Sequence, residues 1–203
     1  MIVGFDFDGV IVNSISVMEK SWDQLSKKFN IEIPFSAYKE NIGLKFNMIL
    51  ENIGLEKELF NEVEKDYFNN TKTNEDQVLL YPNVLETLDV LKKNKIQTFI
   101  ITSKPRGNTL NLMKKFKIEV DLLVCADDVI NGKPDVESGN LVYEKFGKEV
   151  VYYIGDMESD REFAENCRFN FIHAKYGYGL VNKTPENSID SIDQILNLLL
   201  HNY

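Results

Sequence analysis

The sequence predicts a doubly wound α/β domain whose parallel sheet is interrupted, after the first strand, by an inserted α-helical domain. Two observations carry this expectation. Short apolar runs recur at Ile2–Phe7, Ile96–Thr102, Asp121–Cys125, Val150–Ile154 and Phe169–His173, with helical patterns between most of them. From about Ser14 to Asp76, by contrast, no convincing strand occurs. Apolar strands alternating with helices specify a sheet covered on both faces and joined by right-handed crossovers, a Rossmann-like arrangement.

The opening MIVGFDFDGV gives the first strand, which runs into Asp6 and Asp8 and ends at a Gly9 turn. Segment 14–77 reads as three or four helices: ISVMEKSWDQLSKKF, SAYKEN, KFNMILEN and EKELFNEVEKDYFNN. Asn-Ile-Gly occurs at 41–43, where the glycine opens a loop, and again at 52–54, where it ends a helix. The polar tract NNTKTNEDQ at 69–77 reads as a linker, with hinges expected near Asn13–Ser14 and 70–78. Residues 83–94 place Val84, Leu85, Leu88 and Leu91 at helical spacing, after Pro82 in a first turn. Helices at 107–117, 135–147 and 158–168 fill the later crossovers, and 190–200 closes the sequence. The expected division is an α/β core of 1–13 and 78–203 with a helical insertion of 14–77.

Composition narrows the partners. A chain of 203 residues with 43% hydrophobic and 27% charged residues is ordinary for a globular protein. Its net charge of −9 disfavours nucleic-acid backbones and anionic membranes, which need a basic face. Cys125 and Cys167 lie far apart, form no ligand-spaced set, and read as small packing residues rather than zinc ligands or a disulfide. No run is long and apolar enough to span a membrane, and Asp6 interrupts an opening that lacks a basic segment. A cytoplasmic setting without a signal peptide is therefore expected, as a monomer or homodimer.

The chemistry is concentrated at strand ends. Residues two apart on a strand face the same side, about 6–7 Å apart along it, so Asp6 and Asp8 project together. Ligands of doubly wound sheets gather at the carboxyl ends of the strands. The later apolar runs lead into Thr102-Ser103-Lys104-Pro105, Asn131-Gly132-Lys133-Pro134-Asp135 and Gly155-Asp156-Met157-Glu158-Ser159-Asp160. Singly, each has an ordinary explanation: a solvated Asp-Gly turn, a hydroxyl helix cap, an exposed loop lysine, a helix cap with a first-turn acid. Those explanations leave their order unaccounted for, one set after each of four successive strands.

The set DFDGV at 6–10, FIITSKP at 99–105, GKPD at 132–135 and GDMESD at 155–160 resembles the haloacid-dehalogenase (HAD) superfamily. More narrowly it is similar to the phosphoglycolate phosphatase-like branch, which carries a helical cap after the first strand; YPNVLETLDVLKKNKI and FIHAKYGYG also fit that branch. The resemblance implies a Mg2+-dependent phosphatase acting on a small phosphorylated substrate (phosphoglycolate, a sugar phosphate or a nucleotide-like ester) through an aspartyl-phosphate. Asp6 is then the nucleophile and Asp8 the general acid and base. Thr102, Ser103 and Lys133 bind the phosphoryl group. Asp156, with the Asp6 carboxylate and the Asp8 carbonyl, holds the metal, and Asp160 joins the metal cluster through water or neighbouring groups. An aspartate is already ionised at neutral pH and needs no activating base, so a cation is what it requires to approach a phosphate dianion.

Three departures from the branch matter. Asn13 stands where an aspartate is usual, at a position that supports the loop. GKPDVESG lacks the usual second proline. Met18 stands where related β-phosphoglucomutases carry histidine, which weighs against a sugar phosphomutase. Asp8 weighs against dehalogenase chemistry and against a non-enzymatic phosphoacceptor or binding protein, because it supplies the means to hydrolyse the acyl phosphate. In the cap, Ile42-Gly43-Leu44-Lys45-Phe46 resembles the loop that closes over the site, and Lys45 is expected to meet a distal anionic group of the substrate, the alternative being an exposed helix-start lysine. Trp22 and the other cap aromatics are expected in the core rather than stacked on substrate. His173 is expected as a satisfied core histidine and His201 in the tail.

Overall fold

The computed structural model describes residues 1–179, 181, 185 and 187–200; His201 lies outside them. The chain begins with β1 (Ile2–Phe5), a short β2 (Val12–Asn13) and four helices, α1 (Ile15–Phe29), α2 (Phe35–Lys39), α3 (Phe46–Asn52) and α4 (Phe60–Thr73). It continues through β3 (Leu79–Leu80), α5 (Val84–Lys93), β4 (Gln97–Ile101), α6 (Arg106–Phe116), β5 (Leu122–Val124) and α7 (Glu137–Phe146). Then follow β6 (Val151–Gly155), α8 (Glu158–Cys167), β7 (Asn170–Ala174), β8 (Asn187–Ile189) and α9 (Gln194–Leu200).

Six strands form one parallel sheet in the order β5-β4-β1-β6-β7-β8. The chain leaves β1 toward β4 and β5, then returns to the other side at β6. β1 is therefore central and flanks the topological switch point, where doubly wound sheets collect ligands. Register brings the strand tips together: Phe5 pairs with Ile100 and with Ile154, so Asp6 is level with Ile101 and Gly155, and Thr102 and Asp156 follow one residue later.

The sheet is apolar on both faces. Val3, Phe5, Ile100 and Ile154 belong to one buried cluster, while Ile2, Phe99, Ile101 and Tyr153 belong to the cluster on the opposite face. That alternation, covered twice by helices, is why these strands read as continuous apolar runs. Gly4 is the exception in β1, because a side chain there would overlap the ring of Phe99 on the paired strand.

Between β2 and β3 the chain is helical, and these helices pack around a third cluster containing Trp22, Leu25, Tyr38, Phe46, Leu50, Val63 and Tyr67. Helix α1 buries Val17, Met18, Ser21, Trp22 and Leu25, a stripe at helical spacing, and ends at Asn30 in the left-handed conformation with φ 52°. Trp22 is buried in this cluster, and its Nε1 donates to the Ile33 carbonyl at 2.9 Å.

Several expectations need correction. The tract 69–77 is not a free linker. α4 continues to Thr73 and a 3-10 turn covers Glu75–Gln77, because partners across the chain stabilise them. Asn108 on α6 donates to the Phe68 carbonyl at 3.1 Å and to Thr71 Oγ1 at 3.3 Å. Lys115 Nζ donates to the carbonyls of Glu75, Asp76 and Val78 at 2.8, 3.0 and 3.2 Å. The two-residue ribbon β2–β3, antiparallel with Val12 opposite Leu80, and the short β8 were not anticipated from the sequence pattern. Pro82 is outside α5, whose N-terminal flank is Asn83 at φ 63°. His173 is buried as expected and hydrogen-bonded to the Asp156 backbone, with Nε2 alone lacking a partner among the described residues; burial, with help from Lys175, holds its pKa below the ordinary histidine value. Both cysteines are free and buried, in keeping with a packing role.

Candidate active site

Asp6 follows directly after β1, and its N–H still continues the ladder to the Ile154 carbonyl at 2.8 Å. Beyond it the chain folds back: Ile11 and Val12 both donate to the Phe7 carbonyl at 2.9 Å. Gly9 makes that turn at φ 91°, and a side chain at this position would overlap the Asp156 carboxylate. Glycine here thus serves both the turn and the close approach of an acid from the neighbouring strand.

Lys133 reaches this point from the segment after β5. Its side chain is 1% exposed, and the ammonium lies 2.9 Å from Asp6 Oδ1 and 2.6 Å from Asp160 Oδ1, with Tyr153 Oη at 3.4 Å. Burial opposes this charge, but Asp160 and Asp6 overcome it and hold the lysine pKa well above its ordinary range. Asp160 Oδ2 accepts the backbone N–H groups of Asp156 and Met157 at 3.2 and 3.1 Å. Both Asp160 oxygens are therefore engaged, which fixes Lys133 against Asp6.

Asp156 differs. One oxygen accepts the Tyr178 N–H at 2.6 Å, while Oδ1 is buried without a hydrogen-bond partner among the described residues. Ligand atoms of Asp6, Asp156 and Asp160 lie within 4.8 Å of one another. A lone buried carboxylate oxygen beside further acids is strongly unfavourable unless it is protonated or met by a cation. Burial, aided by Asp160 and Asp8 and opposed by Lys133, pushes the Asp6 pKa up to about 7. Burial, with Asp160 and Asp6, raises that of Asp156 well above the carboxylate range. The all-oxygen donor set and the orphaned Asp156 Oδ1 fit a hard cation.

Asp8 has both oxygens occupied: Ser14 Oγ donates to Oδ1 at 2.5 Å, and Lys104 Nζ lies 3.0 Å from Oδ2. Thr102 Oγ1 accepts the Lys104 N–H at 3.2 Å, which leaves its own hydrogen to donate. Ser103 Oγ donates to the Gly43 carbonyl at 2.5 Å, joining the second strand-end motif to the helical segment. A cavity opens between these groups and the helices, lined by Asp6, Asp8, Thr102, Ser103 and Lys104 on the sheet side.

The profile of the haloacid dehalogenase-like hydrolases matches residues 3–174. The chain belongs to this family. Among curated relatives, the phosphoglycolate phosphatase of Escherichia coli (strain K12) is 27% identical over 130 residues, 62% of this chain and 52% of the relative. The phosphorylated carbohydrates phosphatase of Thermotoga maritima is 32% identical over 96 residues, 45% of this chain and 44% of that protein. The chain thus spans about half the length of the curated relatives it matches. The crystal structure of a hydrolase from Pseudomonas syringae superposes with a TM-score of 0.89 at 20% identity, covering 99% of this chain and 98% of that one. This likeness establishes the fold.

In this haloacid dehalogenase-like chain the strand-end residues singled out by sequence do converge: Asp6, Asp8, Thr102, Ser103, Lys133, Asp156 and Asp160 meet at one end of the sheet. Lys45 is not brought to the cavity. Its ammonium donates instead to the carbonyls of Val129 and Ile130 at 2.9 and 3.1 Å. The sequence reading also passed over groups that shape the site. Lys104 adjoins Ser103 in the same strand-end motif, a position that could have flagged it. Ser14, Tyr153 and Tyr178 carry no signal of their own and are recruited by the fold. Cap aromatics expected only as core, among them Tyr38, Phe46, Tyr67 and Phe68, are buried or packed in the helical cluster and also line the cavity.

Proposed function

We propose that this chain is a Mg2+-dependent phosphatase that hydrolyses a small phosphomonoester through an aspartyl-phosphate on Asp6. The observation that carries the reading is Asp6 held 2.9 Å from Lys133 at the switch point of the sheet, beside the orphaned carboxylate oxygen of Asp156. In the first half-reaction an Asp6 oxygen attacks phosphorus, the ester P–O bond breaks, and Asp8 gives its proton to the leaving oxygen. In the second, Asp8 takes a proton from water as that water attacks phosphorus and releases Asp6. Ser14 holds the Asp8 carboxyl through Oδ1 for both transfers, and Oδ2 carries the proton once Lys104 releases it. Thr102 and Lys133 offer donors to the phosphoryl oxygens, and Ser103 joins them by turning its hydrogen away from Gly43. Asp6, Asp156 and the Asp8 carbonyl would hold the cation, with Asp160 acting through Lys133 and neighbouring N–H groups. Bound there, Mg2+ would offset the repulsion between a carboxylate and a phosphate dianion.

Segments 1–13 and 78–203 form the catalytic core in this reading, and 14–77 is a cap over the cavity that excludes water. Met18, an apolar group in the cavity lining, supports hydrolysis over the phosphomutase alternative. The test is phosphate release from a panel of phosphomonoesters with Mg2+ and with chelator. Asp6→Asn, checked for folding by circular dichroism, should lower turnover by on the order of 10⁴-fold or more. Turnover retained in that variant, or unaffected by chelator, would refute the proposal.

A further inference from the structure

We propose that the substrate's leaving group is small and uncharged, and that the hydroxyl pair Tyr38–Tyr67 recognises an oxygen atom on it. This rests on the phosphatase reading above and adds what that reading leaves open, the class of ester. The cavity over Asp6 and Asp8 has a volume of about 40 Å³. Its helical wall consists of Met18, Phe46, Phe68 and the two tyrosines, together with aliphatic side chains. Among the described lining residues the one cation is Lys104, already 3.0 Å from Asp8. Lys133 lies beyond Asp6 and is engaged by Asp6 and Asp160, and Lys45 is turned to the carbonyls of Val129 and Ile130. A carboxylate or second phosphate at this wall would lose its water and meet no opposite charge, which is strongly unfavourable.

The tyrosines supply a neutral alternative. Tyr38 Oη and Tyr67 Oη lie 2.7 Å apart, with both side chains buried. Burial holds both hydroxyls protonated, far above neutral pH. Two phenols carry two O–H hydrogens, and the bond between them uses one. The other, together with the remaining lone pairs, can meet a hydroxyl, ether or carbonyl oxygen. The rings of Phe46 and Phe68 and the Met18 thioether suit the methylene groups that carry such an oxygen.

A near-isosteric pair tests the inference: 2-hydroxyethyl phosphate against phosphoglycolate, with propyl phosphate as the ester lacking the distal oxygen. The expected kcat/KM is at least about 10-fold higher for 2-hydroxyethyl phosphate than for phosphoglycolate, since a desolvated unpaired charge loses more than one hydrogen bond supplies. Tyr67→Phe should lower the value for 2-hydroxyethyl phosphate by about 3- to 10-fold and that for propyl phosphate by clearly less. Equal or better hydrolysis of phosphoglycolate would overturn the inference while leaving the phosphatase reading intact. Equal losses for both neutral esters in Tyr67→Phe would also overturn it, because the hydroxyl would then be structural. Binding of the same esters to Asp6→Asn, followed calorimetrically, separates the two claims. The neutral-over-anionic order without turnover in the parent protein would sustain only recognition of a neutral oxygen by the tyrosine pair while refuting the phosphatase and with it the leaving-group claim, and the reverse order would sink the inference whichever way turnover falls.

Discussion

On the sheet side of the cavity, Asp8 is paired with Lys104, and Asp6 with Lys133, which lies behind it; on the helical side, Tyr38, Phe46, Tyr67 and Phe68 pack ring against ring. The ring centroids of Phe46 and Tyr67 are 4.6 Å apart, a contact whose energy changes smoothly when one side chain is altered. The charged wall behaves differently. Each group there is buried by, and neutralised by, a neighbour from another strand, so removing one leaves an uncompensated charge. The contrast suggests a division of labour: the sheet edge holds groups whose positions cannot drift, and the helices supply a surface that selects by shape and polarity.

Lys133→Met should produce the largest stability effect. It leaves Asp6 and Asp160 without their shared cation and should destabilise the fold by about 3–5 kcal/mol in urea unfolding. Adding Asp160→Asn should recover part of that loss. A loss below about 1 kcal/mol for the single variant would mean that the acid cluster is relieved in another way and that the two walls differ less than proposed.

Metal removal sharpens the same contrast through pH. The folded-state pKa of Asp6 is raised from 3.8 to about 7, and that of Asp156 is raised as well. Between these limits the folded state binds more protons than the unfolded state, so the stabilising contribution is present below pH 3.8 and is lost as pH rises to about 7. In chelator, the contribution of this cluster should fall across that window by on the order of a few kcal/mol. Mg2+ should restore stability, and the gain should grow toward neutral pH. Thermal melts at several pH values with and without Mg2+ measure this, and a Mg2+ effect independent of pH would count against the cluster as the metal site.

The smallest effect is expected in the helical region. Trp22→Phe keeps most of the apolar contact and loses the bond to the Ile33 carbonyl, at a cost of about 1 kcal/mol. Faster hydrogen exchange should be confined to α1 and α2. Spread of that change to the amides of β1 or β6 would show that the two walls are energetically one unit.

The apolar runs that became β1, β4, β5, β6 and β7 were legible because a strand buried on both faces needs little from its neighbours to declare itself. The acids, hydroxyls and lysine at their ends were legible for a related reason: in so apolar a context each is conspicuous. The extension of α4 through polar residues to Thr73 was not legible, since Asn108 and Lys115 stabilise that stretch from another helix. Nor was Lys45, whose charge is satisfied by carbonyls 84 and 85 residues away.

Sequence alone therefore determined five strands of the sheet, the helical insertion and the residues gathered at the strand tips, because periodicity and strand termini are local properties of the chain. Only the tertiary structure decided which of those groups neutralise one another and which side chains face them across the cavity. Lys104 on Asp8, Asp160 behind Lys133, and the paired hydroxyls of Tyr38 and Tyr67 each depend on a separation of a few ångströms between residues far apart in sequence. Coulomb and hydrogen-bond energies vary steeply over that distance, and no pattern of residue types along the chain encodes it.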